Sequence, residues 1–222
     1  WTLEGVAKAD SFAANAKTIF GVAHAADYFA KVYFTTAGLL EAKVQDSAGT
    51  VTTLTSATTF VIATRYAWQV VRDGTSLTLR VNTATEDSDT MADLDCKSPG
   101  GSLYIGRDNA GLYFDGVIDF VRLFTTAKAD QTYGKIRLVA PRSEDVLFDY
   151  VMEANVTGGG TYIEDRSRFE NHAALSGAPS ETTGLCAQTE PVSGFVTWPD
   201  ENAKQRSAMF AGRELYLQDL VR

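Results

Sequence analysis

Apolar and polar residues alternate with a period of two along most of the chain. From 28 to 35, Tyr28, Ala30, Val32 and Phe34 fall on one side, against Phe29, Lys31 and Tyr33 on the other. From 39 to 46, Leu40, Ala42 and Val44 oppose Glu41, Lys43 and Gln45. Such alternation puts one face of a strand in a core and the other in water. Ser47-Ala48-Gly49 predicts a turn, after which Val51 to Leu54 returns. Ala67 to Arg72 runs into Asp73-Gly74, and Leu77 to Val81 follows. Asp-Gly between two such runs predicts a tight hairpin, because the primed turns need positive φ. Residues 103–106 and 113–124 read as further strands, with Ile118, Phe120 (or its neighbours) and Val121 alternating across the second. Ala127 to Tyr133 predicts one short helix, and the Ser/Thr/Gly/Pro-rich stretch from Ala178 to Pro191 an irregular loop. Glu86-Asp87-Ser88-Asp89 has no apolar partner positions and reads as a solvated polar loop. Many short strands without intervening helices predict an all-β fold, a two-sheet antiparallel jelly-roll β-sandwich with at most one or two short helices.

Composition narrows the functional classes. The chain has 222 residues, of which 45% are hydrophobic, with 18 Gly, 5 Pro and 2 Cys, and a formal net charge of −8. That length suits one large β domain, or one and part of another, and the apolar share excludes a mainly disordered chain. The longest apolar runs, such as Phe60-Val61-Ile62-Ala63, are far too short to span a bilayer as a helix. Negative charge without Lys/Arg clusters argues against nucleic acid as a partner, since neutralising phosphates needs a basic face. Cys96 and Cys186 either pair in an oxidising compartment or are two small buried residues. With His24 and His172 they show no zinc-like spacing. Asn155-Val156-Thr157 is a glycosylation sequon, meaningful only in a eukaryotic secretory pathway. The first residue is Trp, as expected of a processed chain or an excerpt.

Several runs resemble one family. Trp68 to Val81 resembles the "W-x-x-V…D-G…L-x-L-x-V" hairpin of laminin-G-like, concanavalin A-like jelly rolls. Leu103-Tyr104-Ile105-Gly106, followed by Phe114-Asp115-Gly116-Val117-Ile118-Asp119-Phe120-Val121-Arg122-Leu123-Phe124, resembles its closing motif "L-x-I-G…F-x-G-x-I-D-x-V-R-I-Y". Thr2-Leu3-Glu4-Gly5-Val6 resembles "F-T-L-E-G-W", with Val6 where Trp is usual; Asn82-Thr83 stands where Asn-Gly is usual. Val146-Leu147-Phe148-Asp149-Tyr150, then Asp165-Arg166-Ser167, Asn171 and Leu175-Ser176-Gly177, resembles the family's opening. Ser207 to Leu217 resembles its next strand pair. The order is therefore rotated. Residues 1–135 match the later part of the sandwich, and 136–222 the opening strands, which complete the same sandwich or that of a neighbouring subunit.

The resemblance also sets expectations for sites. Glucanases of this fold carry paired carboxylates on one strand. Asp119 stands alone there, so the chain is expected not to be an enzyme. Relatives often bind calcium at the sandwich rim through oxygen ligands. The matching oxygens are Asp115, Asp119, Asp165 and Asn171, with Asp165 and Asn171 alternatively forming an Asx-type turn. Calcium is the one cofactor implied, if there is any. Asp119 and Arg122 are expected to pair with each other or to cap a loop. Tyr104, Tyr113, Trp198 and Tyr216 are the candidate glycan-stacking aromatics, or else core residues. The resemblance implies a non-catalytic structural and adhesion module of an extracellular assembly, such as a virion (phage) decoration, fibre or surface protein. Its partners are then other subunits and a glycan. The alternative it implies is a secreted calcium-dependent carbohydrate-binding domain of a larger bacterial surface protein.

Overall fold

The computed structural model describes residues 1–12, 17–24, 27–93, 95–97, 102–107, 113–128, 145–151, 162–163, 165, 167, 169 and 173–174. The strands are β1 (Thr2–Ala9), β2 (Lys17–His24), β3 (Asp27–Phe34), β4 (Leu40–Gln45), β5 (Val51–Thr55), β6 (Arg65–Asp73), β7 (Ser76–Val81), β8 (Ala84–Thr90), β9 (Ser102–Ile105), β10 (Gly116–Phe124), β11 (Val146–Val151), β12 (Tyr162–Ile163) and β13 (Ala173–Ala174). They form a six-stranded sheet in the order β11-β10-β1-β6-β7-β8, a five-stranded sheet in the order β5-β4-β3-β2-β9, and the small pair β12-β13. All pairings are antiparallel. The architecture is the jelly-roll sandwich that the alternation predicts.

The core lies between the two large sheets. Leu3, Trp68, Val70, Leu79, Val121 and Leu123 from one sheet meet Phe20, Val32, Phe34, Leu40, Ala42 and Leu54 from the other. Trp68 is the largest of the fully buried side chains. Its indole fits because Gly5 lies directly opposite on β1. A Cβ on Gly5 would stand 2.6 Å from the Trp68 ring and 2.6 Å from the Phe120 carbonyl oxygen. The Asp73-Gly74 hairpin forms as predicted, with Asp73 paired to Ser76 and Gly74 at φ 56° as the first central residue of the turn.

The structure corrects three expectations. Glu86 to Asp89 is not a loop but part of edge strand β8, paired with β7. The hairpin before it turns at Asn82 (φ 46°) and Thr83 (φ 78°), both left-handed, which carries the chain straight back. Glu86 and Asp87 then accept hydrogen bonds from the Thr58 and Thr55 amides, each at 2.8 Å, tying the edges of the two sheets together. Second, Ala127 and Lys128 are not helical; residues 129–133 of that expected helix lie outside the described residues, and no helix occurs among those described. Third, β10 does not alternate strictly. Val6 pairs with Phe120 while Ala7 pairs with Ile118, so Asp119 is the extra residue of a β-bulge. Two consecutive side chains, Asp119 and Phe120, consequently sit between the core residues Ile118 and Val121.

Candidate functional site

The outer face of the six-stranded sheet carries a row of charged and amide side chains. Cross-strand register aligns Asp149, Arg122, Glu4, Gln69 and Arg80 in one row over five strands. Arg122 Nε donates to Asp149 Oδ1 at 2.8 Å, and its Nη1 lies 3.7 Å from Glu4 Oε1. Gln69 Nε2 donates to Glu4 Oε2 at 3.2 Å, and Arg80 Nη1 donates to Gln69 Oε1 at 3.2 Å. Phe120 and Phe124 flank the Arg122 guanidinium at 5.6 and 5.9 Å. Glu4, Arg122 and Asp149 are all buried. Burial pushes the Glu4 carboxyl up to about 7, against the opposing pull of Arg122 and Gln69. A row this deep fixes strand register and holds β11 to β10; a substrate does not reach it.

The bulge brings Asp119 to Arg65. Arg65 Nε donates to Asp119 Oδ2 at 3.1 Å, while Arg122 meets Asp149 and Glu4. Asp165 is also buried. Its Oδ1 accepts from the Ser167 and Asp149 amides, each at 2.9 Å, and its Oδ2 accepts from Ser167 Oγ at 2.8 Å. The Asp165-to-Ser167 bond is an Asx-type turn. Asp115 is exposed, and its carbonyl accepts from the Asp10 amide at 2.9 Å. Among the described residues, no three His, Cys, Asp or Glu gather as a metal-binding set. Asn171, Trp198, Tyr216 and Cys186 lie outside the described residues.

Tyr104 and Tyr113 do come together. One end of the sandwich is tied by loop-to-loop hydrogen bonds, Ala63 amide to Ala9, Asp10 to Asp115, Phe60 to Gly38 and Phe114 to Gly106. There Arg107 forms a β-bridge with Tyr113. Its guanidinium lies 4.8 Å from the Tyr104 ring centre and 5.9 Å from that of Tyr113. Tyr113 is 55% exposed, and Val61 and Ile62 of the neighbouring loop are 62% and 49% exposed. An exposed ring held by a cation, with amphipathic rims, suits stacking against the apolar face of a sugar. Arg107 was not singled out by pattern. Its signal was the closing "L-x-I-G" run that it directly follows.

The family description "Concanavalin A-like lectin/glucanases superfamily" matches residues 1–132. The chain belongs to this superfamily. Among solved structures, it is similar to a candidate carbohydrate-binding protein from Bacteroides ovatus ATCC 8483, at 20% identity and a TM-score of 0.60, over 78% of this chain and 50% of that one. It is also similar to mouse laminin α1 domains LG4-5 (15% identity, TM-score 0.43, 59% of this chain and 39% of that one). A third similarity is to the Ruminococcus gnavus IT-sialidase CBM40 bound to α2,3-sialyllactose (13% identity, TM-score 0.43, 52% of this chain and 68% of that one). The superfamily member described here thus spans half the length of the Bacteroides protein. No curated protein matches.

Proposed function

We propose that this chain is a non-catalytic carbohydrate-binding and adhesion module that works outside the cell, with its glycan contact at the Tyr104–Arg107–Tyr113 cluster. The observation that carries the reading is the exposed Tyr113 ring, held by the Arg107 guanidinium that also lies over Tyr104. The carbohydrate-binding description of the Bacteroides protein is in keeping with it, although that likeness speaks to the fold. The reading carries no glucanase role. Asp119 is buried against Arg65 with no second carboxylate beside it on β10, whereas a retaining glycosidase needs two about 5 Å apart. A glycan array run with and without chelator tests the reading. Binding that is lost in Tyr113→Ala supports it; no binding under either condition defeats it. Loss with chelator alone favours the secreted calcium-dependent binder, with Asp115 and Asn171 as the ligands to substitute first.

The finer reading is a subunit of an extracellular assembly, of the virion-decoration or fibre kind, in which residues 136–222 complete this sandwich or a neighbour's. The rotated motif order supports it; β11 pairs with β10 of the same chain over five residue pairs, with a register shift between Leu123 and Phe124, which favours completion of this sandwich. Mass photometry of the full chain across a dilution series tests it: a monomer at every concentration counts against exchange between subunits.

A further inference from the structure

Residues Thr126 to Lys128, which follow β10, lie on the outer face of the six-stranded sheet as a short strap. The Thr2 hydroxyl on β1 holds both its ends. It donates to the Thr126 carbonyl at 3.0 Å and accepts from the Lys128 amide at 2.8 Å. Arg80 reaches over from β7, and its Nη1 donates to the Lys128 carbonyl at 3.2 Å. The strap is thus fastened from β1 and from β7, the two strands that flank β6. Its base is tied separately. The Thr125 amide donates to the Asp145 carbonyl at 2.7 Å, and Lys128 Nζ pairs with the Asp145 carboxylate.

The same Arg80 nitrogen closes a relay to a buried acid. It donates to Gln69 Oε1 at 3.2 Å, and Gln69 Nε2 donates to Glu4 Oε2 at 3.2 Å. Glu4 also follows Thr2 by two residues on β1, on the same face and about 7 Å along the strand. Both fastenings of the strap are therefore neighbours of Glu4, one along its strand and one along its row. Among the described residues, the charged and polar groups set around Glu4 are Arg122 from β10, Asp149 from β11, Gln69 from β6, Arg80 from β7 and Lys128 from the strap. They leave Glu4 Oε1 buried without a hydrogen bond, with Arg122 Nη1 3.7 Å away. An uncharged carboxyl tolerates such a place, whereas a carboxylate with an unserved oxygen needs water. Burial lifts this carboxyl to about 7, so both forms occur near neutrality. Water enters a fold through the segment that opens at least cost. Three side-chain bonds fasten the strap to β1 and β7, against ladders of eight and seven residue pairs for β1 itself.

We propose that Glu4 and this strap form a pH-sensitive latch: the strap is fastened while Glu4 is uncharged and loosens when Glu4 ionises. The latch stands apart from the glycan reading and does not depend on it. The test is hydrogen exchange of the full chain at pH 5.5 and 8.5, resolved to single amides, with each rate divided by the intrinsic rate at that pH. The Lys128 amide, which donates to Thr2, loses at least tenfold protection on going to pH 8.5, and the amides of β6 and β7 lose less. In Glu4→Gln the Lys128 amide keeps its protection at both values. The coupling is reciprocal. Thr2→Val unfastens the strap, admits water to Glu4 and moves the midpoint of its carboxyl-carbon NMR titration down towards the ordinary value. Equal losses in the strap and the strands mean that ionisation lowers global stability alone, and overturn the latch. Protection at Lys128 that ignores pH, or that falls equally in Glu4→Gln, overturns it as well. So does a Glu4 midpoint that stays in place in Thr2→Val.

Discussion

Glu4 offers the sharpest test of how the six-stranded sheet is held together. Its carboxyl is buried at the centre of the sheet, where Oε1 accepts no hydrogen bond and the nearest Arg122 nitrogen is 3.7 Å away. Burial lifts its pKa to about 7, while Arg122 and Gln69 pull down and Asp149 pushes up. The ordinary value, which the unfolded chain has, is 4.5. The folded state therefore holds this proton more tightly than the unfolded state does. Stability from this group is full below about pH 4 and falls as pH rises from there to about 7, then levels off. At about 1.4 kcal/mol for each tenfold difference, the buried carboxylate costs about 3 kcal/mol at pH 8. Glu4→Gln keeps the shape and the contact with Gln69 but carries no charge. It should match the wild type near pH 4.5 and exceed it by about 2–4 kcal/mol at pH 8, a rise of about 6–12 °C in Tm for a chain of this size. Urea denaturation of both proteins at pH 4.5, 6 and 8 reads the difference directly. If Glu4→Gln is less stable than the wild type at pH 8, the Glu4–Arg122 attraction exceeds the cost of burial and the reasoning fails.

Four further outcomes follow from the geometry. Gly5→Ala places a methyl 2.6 Å from both the Trp68 ring and the Phe120 carbonyl and should cost at least ~3 kcal/mol by thermal melting, because no flexible side-chain end can yield there. Thr83→Gly relieves a β-branched residue at φ 78°; the left-handed penalty of about 1–2 kcal/mol outweighs glycine's entropic cost of about 0.5–1 kcal/mol, so Tm should rise by a few degrees. Asp149→Ala leaves Arg122 buried without the carboxylate 2.8 Å away and should lower stability by about 3 kcal/mol, with faster amide exchange confined first to β11. Asp165→Ala removes the acceptor of the Asp149 and Ser167 amides, and should free the outer edge of β11, seen as stronger concentration-dependent association than that of the wild type by sedimentation velocity.

The legible parts of the fold were the local ones. Alternation over Leu40–Gln45 and the Asp73-Gly74 turn are readable because strand facing and hairpin turns depend on residues within a few positions of each other. Strand β8 was hidden because Ala-Thr-Glu-Asp-Ser-Asp-Thr carries no apolar face. It is a strand because the Asn82-Thr83 turn delivers it to β7 and because Glu86 and Asp87 find amides on the other sheet. The bulge at Asp119 was equally out of reach, since one extra residue on β10 shows only against its partner β1. At the candidate site, Tyr104 and Tyr113 stood out as aromatics, but Arg107 acquires meaning only once both rings lie beside it. The polar row could not be foreseen either. Glu4 and Gln69 are 65 positions apart in the chain, Arg122 and Asp149 27.

The sheet edges and faces differ in how open they are to a ligand. The six-stranded sheet has its outer face buried around the Glu4–Arg122–Asp149 row. Its β11 edge is engaged by Asp165, through a bridge to Tyr150 and a bond from the Asp149 amide. Its β8 edge is dense in carboxylates, which repel another strand. None of these surfaces is free to receive an acidic or a neutral sugar. The five-stranded sheet differs, because Lys31, Lys43 and Tyr104 on its outer face are only partly buried.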